Sequence, residues 1–191
     1  LQAIDGADIA AITKANLASM TATQFAKLTT DQLVALTTVQ AKGLTTTQLN
    51  ALSGSQIAVL ETTDVAALTS TQVQNLTTTA IAGLTTAQVQ SLNTAAVSVL
   101  TSAQLASLGA DDIAALSSSQ IRALSSTQLN ALTSTQLQAI ETSDISAIST
   151  ATLIAIDAAK LANLTDAQLG ALSPSQVKAL TSTQLNALSG S

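Results

Sequence analysis

The chain has 191 residues, six of them basic and eleven acidic, with no histidine, no cysteine and one aromatic residue, Phe25. This composition excludes disulfides, thiolate nucleophiles and histidine ligands or bases. The basic residues are scattered, so we expect no nucleic-acid partner. Polar triplets interrupt every apolar run well short of the roughly 18 residues of a membrane span, so we expect no membrane-spanning segment.

An eight-residue pattern runs from Leu1 to Ser191 without insertion or deletion, as in the stretches LTTTQLNAL (44–52) and LTSTQLNAL (180–188). With the positions labelled a to h and Leu1 at a, position a is apolar and position d is Leu, Ile or Met throughout. Such a strict period is typical of a one-dimensional array. We therefore predict that residues 1–191 form a single continuous octad-repeat array, and that it is a segment of a longer one.

In chain order, the octads up to Met20 are irregular but in phase, and from Thr21 onward positions e to h mostly read Thr/Ser-x-x-Gln. This spacing is the capping box, which marks the start of a helix. Asp, Asn or Gly replaces the hydroxyl in some octads and is also an accepted cap. Only Glu61 and Glu141 depart from this set. Pro174 lies at f, the first helical position, where proline costs no hydrogen bond.

The pattern predicts an all-α repeat solenoid with one very short helix per octad. Each helix is expected to run from f to d, seven residues or about 10 Å, and to join the next through the single extended residue e. Because so short a helix is unstable alone, positions a and d must be buried, and the small residue at c lets helices approach closely.

A β-solenoid is the alternative, since Thr, Val and Ile favour strands. Against it, the apolar spacings of three and five place a and d on opposite faces of a flat strand. A continuous helix fits worse, because its apolar stripe would rotate by about 80° per octad.

Acidic residues cluster at positions e, g and h, in the groups Asp5/Asp8, Glu61/Asp64, Asp111/Asp112 and Glu141/Asp144. They suggest either cation sites or helix caps. No loop has the spacing of a known calcium motif, so we favour caps. We assign no catalytic, cofactor-binding or metal-binding residue, expect no cofactor, and do not expect an enzyme.

Positions f and g, rich in Thr and Ser, are expected to face outward. Their hydroxyl rows could bind ice or carbohydrate, or carry O-linked glycans, but a neutral solubilising surface is the interpretation we favour. The Gln column at h could form a ladder along the array or simply close the joints between helices.

The run LTTAQVQSL (84–92) and its companions resemble arrays of Leu-Thr-x-x-Gln-(Leu/Val)-x-Ala-Leu repeats in very large surface or secreted, adhesin-like proteins of proteobacteria. The resemblance spans the chain and carries over no functional residue. It implies a bacterial extracellular or cell-surface location and a spacer, stalk or fibre. We therefore expect a non-enzymatic structural protein that self-associates end to end or laterally, with an ice-binding or carbohydrate-binding module as the alternative.

Overall fold

The computed structural model describes residues 4–188, and within that range all regular secondary structure is helical. The predicted all-α fold is confirmed there, and the β-solenoid alternative is wrong. The chain folds into two compact units, which we call unit 1 (Leu1–Val99) and unit 2 (Leu100–Ser191). In the sequence the octad phase passes through this boundary unbroken, and one continuous array over residues 1–191 stays a prediction.

Unit 1 contains twelve helices in its described part. They are α1 (Gly6–Ala11), α2 (Lys14–Ala18), α3 (Ala22–Phe25), α4 (Thr30–Val34), α5 (Thr38–Ala41), α6 (Thr46–Ala51), α7 (Gly54–Ala58), α8 (Thr62–Ala66), α9 (Ser70–Gln74), α10 (Thr78–Ala82), α11 (Thr86–Ser91) and α12 (Thr94–Ser98).

The described part of unit 2 contains eleven helices. They are α13 (Ser102–Ala106), α14 (Ala110–Ala114), α15 (Ser118–Ala123), α16 (Ser126–Ala131), α17 (Ser134–Ala139), α18 (Thr142–Ile145), α19 (Thr150–Ile154), α20 (Ala158–Leu161), α21 (Asp166–Gly170), α22 (Pro174–Ala179) and α23 (Ser182–Leu188).

Every one of these helices begins at position f, as the capping box predicts. At α6, the Thr45 hydroxyl accepts the Gln48 N–H at 3.2 Å, and the Gln48 side-chain oxygen accepts the Thr45 N–H at 2.9 Å. Pro174 is the first residue of α22, where its missing N–H has no helical acceptor to lose. Most helix starts are therefore set by side-chain bonds between residues three apart.

The helix ends differ from the prediction. The helices have four to seven residues, and only α23 reaches position d. In the octad of α6, Leu52 at d is extended (φ −71°, ψ 141°) and so is Ser53 at e (φ −69°, ψ 161°). The Leu52 N–H closes the turn on the Leu49 carbonyl at 3.3 Å. Two extended residues therefore join α6 to α7.

Positions a and d form the core, as predicted. Residues at a such as Leu33, Val65 and Leu129 are fully buried. Helix packing joins each helix to the third one along the chain, as in α8 with α11 and α14 with α17. Two buried aliphatic side chains per octad contribute about 3–6 kcal/mol of transfer free energy, which sustains helices that are too short to form alone.

Small residues let adjacent turns approach, as predicted for position c. A Cβ on Gly83, at c, would lie 2.8 Å from the Gly54 Cα and 3.4 Å from the Gly54 carbonyl oxygen. Neither atom belongs to a flexible side chain, so the contact cannot relax without moving backbone.

Phase is expected to matter more than repeat number. Deleting the octad Thr165–Leu172 keeps every later residue in phase, so the chain should remain helical with a melting temperature within a few degrees of the parent. Inserting one alanine between Ala167 and Gln168 turns a, d and h away from their partners and should abolish the folded signal of the last helices. Circular dichroism and hydrogen exchange measure both, and equal stability of the two variants would contradict the register.

The Gly83 contact gives a matched pair. Gly83→Ala should destabilise the fold by about 1–3 kcal/mol through overpacking. Gly170→Ala, at a helical glycine whose added Cβ would meet nothing within 4 Å, should be neutral or stabilise by up to about 1 kcal/mol. Urea unfolding of the two variants tests this, and the opposite order would contradict the close approach.

Candidate functional site

The acidic groups do not assemble a metal centre. Among residues 4–188 no three His, Cys, Asp or Glu side chains lie close enough to hold an ion. Asp5 accepts the Asp8 N–H at 2.9 Å, and Asp112 accepts the Gly109 N–H at 2.9 Å, so the capping interpretation holds for both. It fails for Glu61 and Glu141, whose side chains make no cap bond.

The hydroxyl rows lie where the sequence predicts them, because positions f and g are exposed or partly exposed in the described helices. Unit 2 also has an open groove of about 330 Å³ whose polar lining includes Arg122, Ser149, Thr150 and Ser173. No sequence pattern indicates this groove, since its walls come from octads more than twenty residues apart.

The Gln column at h is the most constrained polar feature. Gln48 is 1% exposed. Its side-chain nitrogen donates to the carbonyls of Leu17 and Met20, 31 and 28 residues earlier, both at 2.9 Å. Its oxygen accepts the Thr45 N–H. The amide thus closes its own helix start and also holds the end of a helix one turn earlier. We call this pair of long-range bonds the glutamine clamp.

The clamp recurs with the same spacing in both units. Residues with both bonds, 31 and 28 positions back, include Gln40, Gln48, Gln72, Gln88, Gln136, Gln168, Gln176 and Gln184. In these clamps the nitrogen-to-carbonyl distances are 2.7–3.0 Å. Since helix packing joins octads three apart and the clamp reaches the end of the helix four back, one turn holds between three and four octads.

Position b adds a second link between turns. The Asn50 side chain donates to the Asn75 carbonyl at 2.9 Å and accepts the Thr77 N–H at 2.8 Å. Asn130 repeats this in unit 2 with Ala155 and Asp157. Both links tie side-chain amides to backbone, so they fix the phase of one turn against the next.

The sequence suggested that Gln either closes the joint at its own helix or forms a ladder along the array, and neither prediction includes bonds to distant backbone carbonyls. The clamp acceptors lie 28 and 31 residues away and carry no side-chain signature. One signal was available: position h is often Gln and never Glu, although Glu closes a capping box equally well. A requirement for an N–H donor explains that preference, because an ionised carboxylate can accept hydrogen bonds but cannot donate one.

Asp64 occupies position h without any of these bonds. It is 3% exposed, and its Oδ2 is buried without a hydrogen-bond partner. Burial, and next the charge of Glu61, raise the pKa of Asp64 from 3.8 to about 6. Asp144, at the same position in unit 2, instead accepts a bond from the Ser118 hydroxyl.

Chemically, the glutamine clamp can hold turns together and offers neither a titratable group nor a nucleophile. The core of unit 1 contains a cavity of about 10 Å³ lined by aliphatic residues, including Leu49, Leu60 and Leu76, which is room for one water at most. Among residues 4–188, no helix has the length and hydrophobicity needed to cross a bilayer.

The clamp predicts a strong position dependence for Gln→Glu. Gln48→Glu keeps the shape and the local acceptor but loses two buried donors and places a carboxylate against two carbonyls. We expect a cost of about 3 kcal/mol or more near neutral pH. Gln24→Glu is the control, because Gln24 is exposed and forms only its capping box; it should change stability by less than about 0.5 kcal/mol. Equal losses in urea unfolding would show that the box alone matters.

Comparison with known proteins supports a repeat family. The family model described as the ALTTAQ repeat matches residues 1–38, 57–94 and 106–140, which together exceed half of the chain. No curated protein matches. The matched segments contain helices with the f-start, the buried a and d residues and glutamine clamps described above. The chain belongs to the ALTTAQ repeat family.

Proposed function

We propose that the protein is a non-enzymatic structural array, an extracellular rod, stalk or filament of a bacterial surface protein. The observation that carries the proposal is the recurrence of one set of inter-turn bonds, the glutamine clamp, in both units. An assembly in which each turn binds the next through identical contacts sets length by repeat number.

The side-chain chemistry supports a mechanical role. The buried Gln side chains at h form capping boxes and clamps. Positions f and g carry mostly Thr, Ser and Ala, whose side chains are uncharged. The chain has no cysteine, so an oxidising exterior cannot cross-link it. The same exposed hydroxyls are available for O-linked glycans, which would extend the solvated surface.

Self-association has support at the last described turn. Val177 and Leu185, at position a, are each 47% exposed, whereas Leu129 and Leu153 at the same position are fully buried. Octads of the following turn cover those buried residues. A repeat segment in the same phase would cover Val177 and Leu185 in the same way, and either further octads of the same protein or a second copy of it would offer such a segment.

A carbohydrate-binding role is the second candidate. The lining of the groove includes the Arg122 guanidinium and the hydroxyls of Ser149, Thr150 and Ser173. This combination suits an acidic or neutral glycan. It interrupts the regular surface of the described part of unit 2, so it supports a local site and not a continuous binding face. Glycan-array binding lost in Arg122→Ala would favour this candidate, and an ice-binding role requires thermal hysteresis instead.

Length should follow repeat number. Two further copies of Thr101–Leu132 inserted after Leu132 add eight octads in phase. Packed helices lie about 8–10 Å apart, so this addition should lengthen the particle by about 20 Å at constant width. Small-angle scattering and negative-stain electron microscopy measure both dimensions.

The matched control inserts the same residues in shuffled order, which preserves composition and destroys phase. It should add no ordered length. Particles that widen without lengthening after the in-phase insertion would refute the rod. Sedimentation velocity of the same samples reports self-association, and Val177→Asn with Leu185→Asn should weaken any such association.

A further inference from the structure

Helix α8 begins at a joint of unit 1 that lacks the repeated polar bonds. Its cap residue Glu61 makes no side-chain cap bond. At position h, Asp64 leaves one oxygen buried and unpartnered. In the adjacent octads, Gln56 and Gln72 each form a capping box and donate to carbonyls of the preceding turn. The α8 octad therefore lacks both the local and the long-range half of the repeated bond set.

The register identifies what Asp64 faces. Gln56 donates to the Leu28 carbonyl and Gln72 to the Leu44 carbonyl, each 28 residues earlier. With the same 28-residue spacing, residue 64 faces the Leu36 carbonyl. With the 31-residue spacing of the second Gln72 bond, it faces the Leu33 carbonyl. An ionised carboxylate cannot donate to either of them, whereas the neutral acid has one O–H donor.

Charges on the surrounding elements do not compensate an ionised Asp64. Glu61, on the same octad, repels it. The helices packed against α8 are α5 and α11; Lys42 directly follows α5, and α11 carries no charged residue. Asp31 lies on α4, the helix that contains Leu33 and precedes Leu36. Lys42 and Asp31 are exposed to solvent, which screens them.

We propose that the α8 joint is a proton-dependent contact, open when Asp64 is ionised and closed when its carboxyl group is neutral and donates to the Leu33 or Leu36 carbonyl. A proton from solvent binds one carboxylate oxygen, and no covalent bond to carbon changes. The device goes beyond the proposed structural role and does not depend on it.

The direction of the pH dependence follows from the raised pKa. Because the pKa of Asp64 is higher in the folded chain than its ordinary value, the neutral acid is favoured by folding. The added stability is therefore complete below about 3.8 and is lost as pH rises through about 6.

Hydrogen exchange of the full chain tests the contact directly. After correction for intrinsic exchange rates, the amides of α8 should be up to about tenfold better protected near pH 5 than near pH 7.5. Asp64→Asn is neutral at both values and keeps the shape. It should show the high protection at both, so the pH dependence of α8 disappears. Equal protection of the parent chain at the two pH values, or no gain in Asp64→Asn near pH 7.5, would overturn the proposal.

Asp144 supplies the matched control. Its carboxylate already accepts the Ser118 hydroxyl, so Asp144→Asn replaces a charged acceptor with a neutral one. The amide oxygen of this variant can still accept that hydroxyl, but more weakly than a carboxylate does, so the variant should bring no gain in protection of α18 near pH 7.5. A gain equal to that of Asp64→Asn would show that any acid at position h weakens its joint through charge alone, and would overturn the role of the unpartnered oxygen.

A second measurement needs no variant to fold. The side-chain carboxyl carbon of Asp64, followed by NMR in the parent chain and assigned there by through-bond correlations, should titrate near pH 6. A midpoint near the ordinary 3.8 would overturn the proposal. So would restored protection of α8 near pH 7.5 on adding calcium or potassium ions, because the partner of the carboxylate would then be a metal ion.

Discussion

The fold depends on a buried Gln side-chain amide that recurs at position h in both units. Helices of four to seven residues leave most of their backbone groups without an intrahelical partner. The cap hydroxyl and the Gln oxygen serve the helix start, and the Gln nitrogen serves two carbonyls at the end of a helix one turn earlier. One Gln side chain therefore bonds backbone groups at the start of its own helix and at the end of an earlier one. Such short helices can then be buried with few unpaired backbone groups.

The aliphatic core and the glutamine clamp contribute different things. Burial of positions a and d supplies most of the stabilising free energy, but it is non-directional and tolerates Leu, Ile, Val or Phe25 alike. The clamp and the Asn50 link are directional and fix the phase of one turn against the next. Sliding by a whole octad would preserve that chemistry, so the number of octads per turn must come from helix packing.

Substitutions at position h show how the array tolerates defects. The Lys160 ammonium donates to the Leu132 carbonyl and so replaces half of the clamp. Asp112 keeps the local bond, Asp144 finds the Ser118 hydroxyl, and the buried oxygen of Asp64 finds no partner. Each defect stays local because an octad contacts only its near neighbours. A chain with that property can vary in sequence along its length and keep one architecture, as the family match across irregular octads also indicates.

The sequence by itself determined where helices begin, which residues face inward and where small residues are needed. Thr45, Gln48 and Pro174 reveal their roles because a capping bond spans only three residues. Only the tertiary structure decided that helices stop before d, that the Gln amide is a clamp, that one turn holds between three and four octads, and that a groove forms beside Arg122. Those features arise from backbone groups about 25 to 31 residues apart, and backbone carbonyls look the same in every residue.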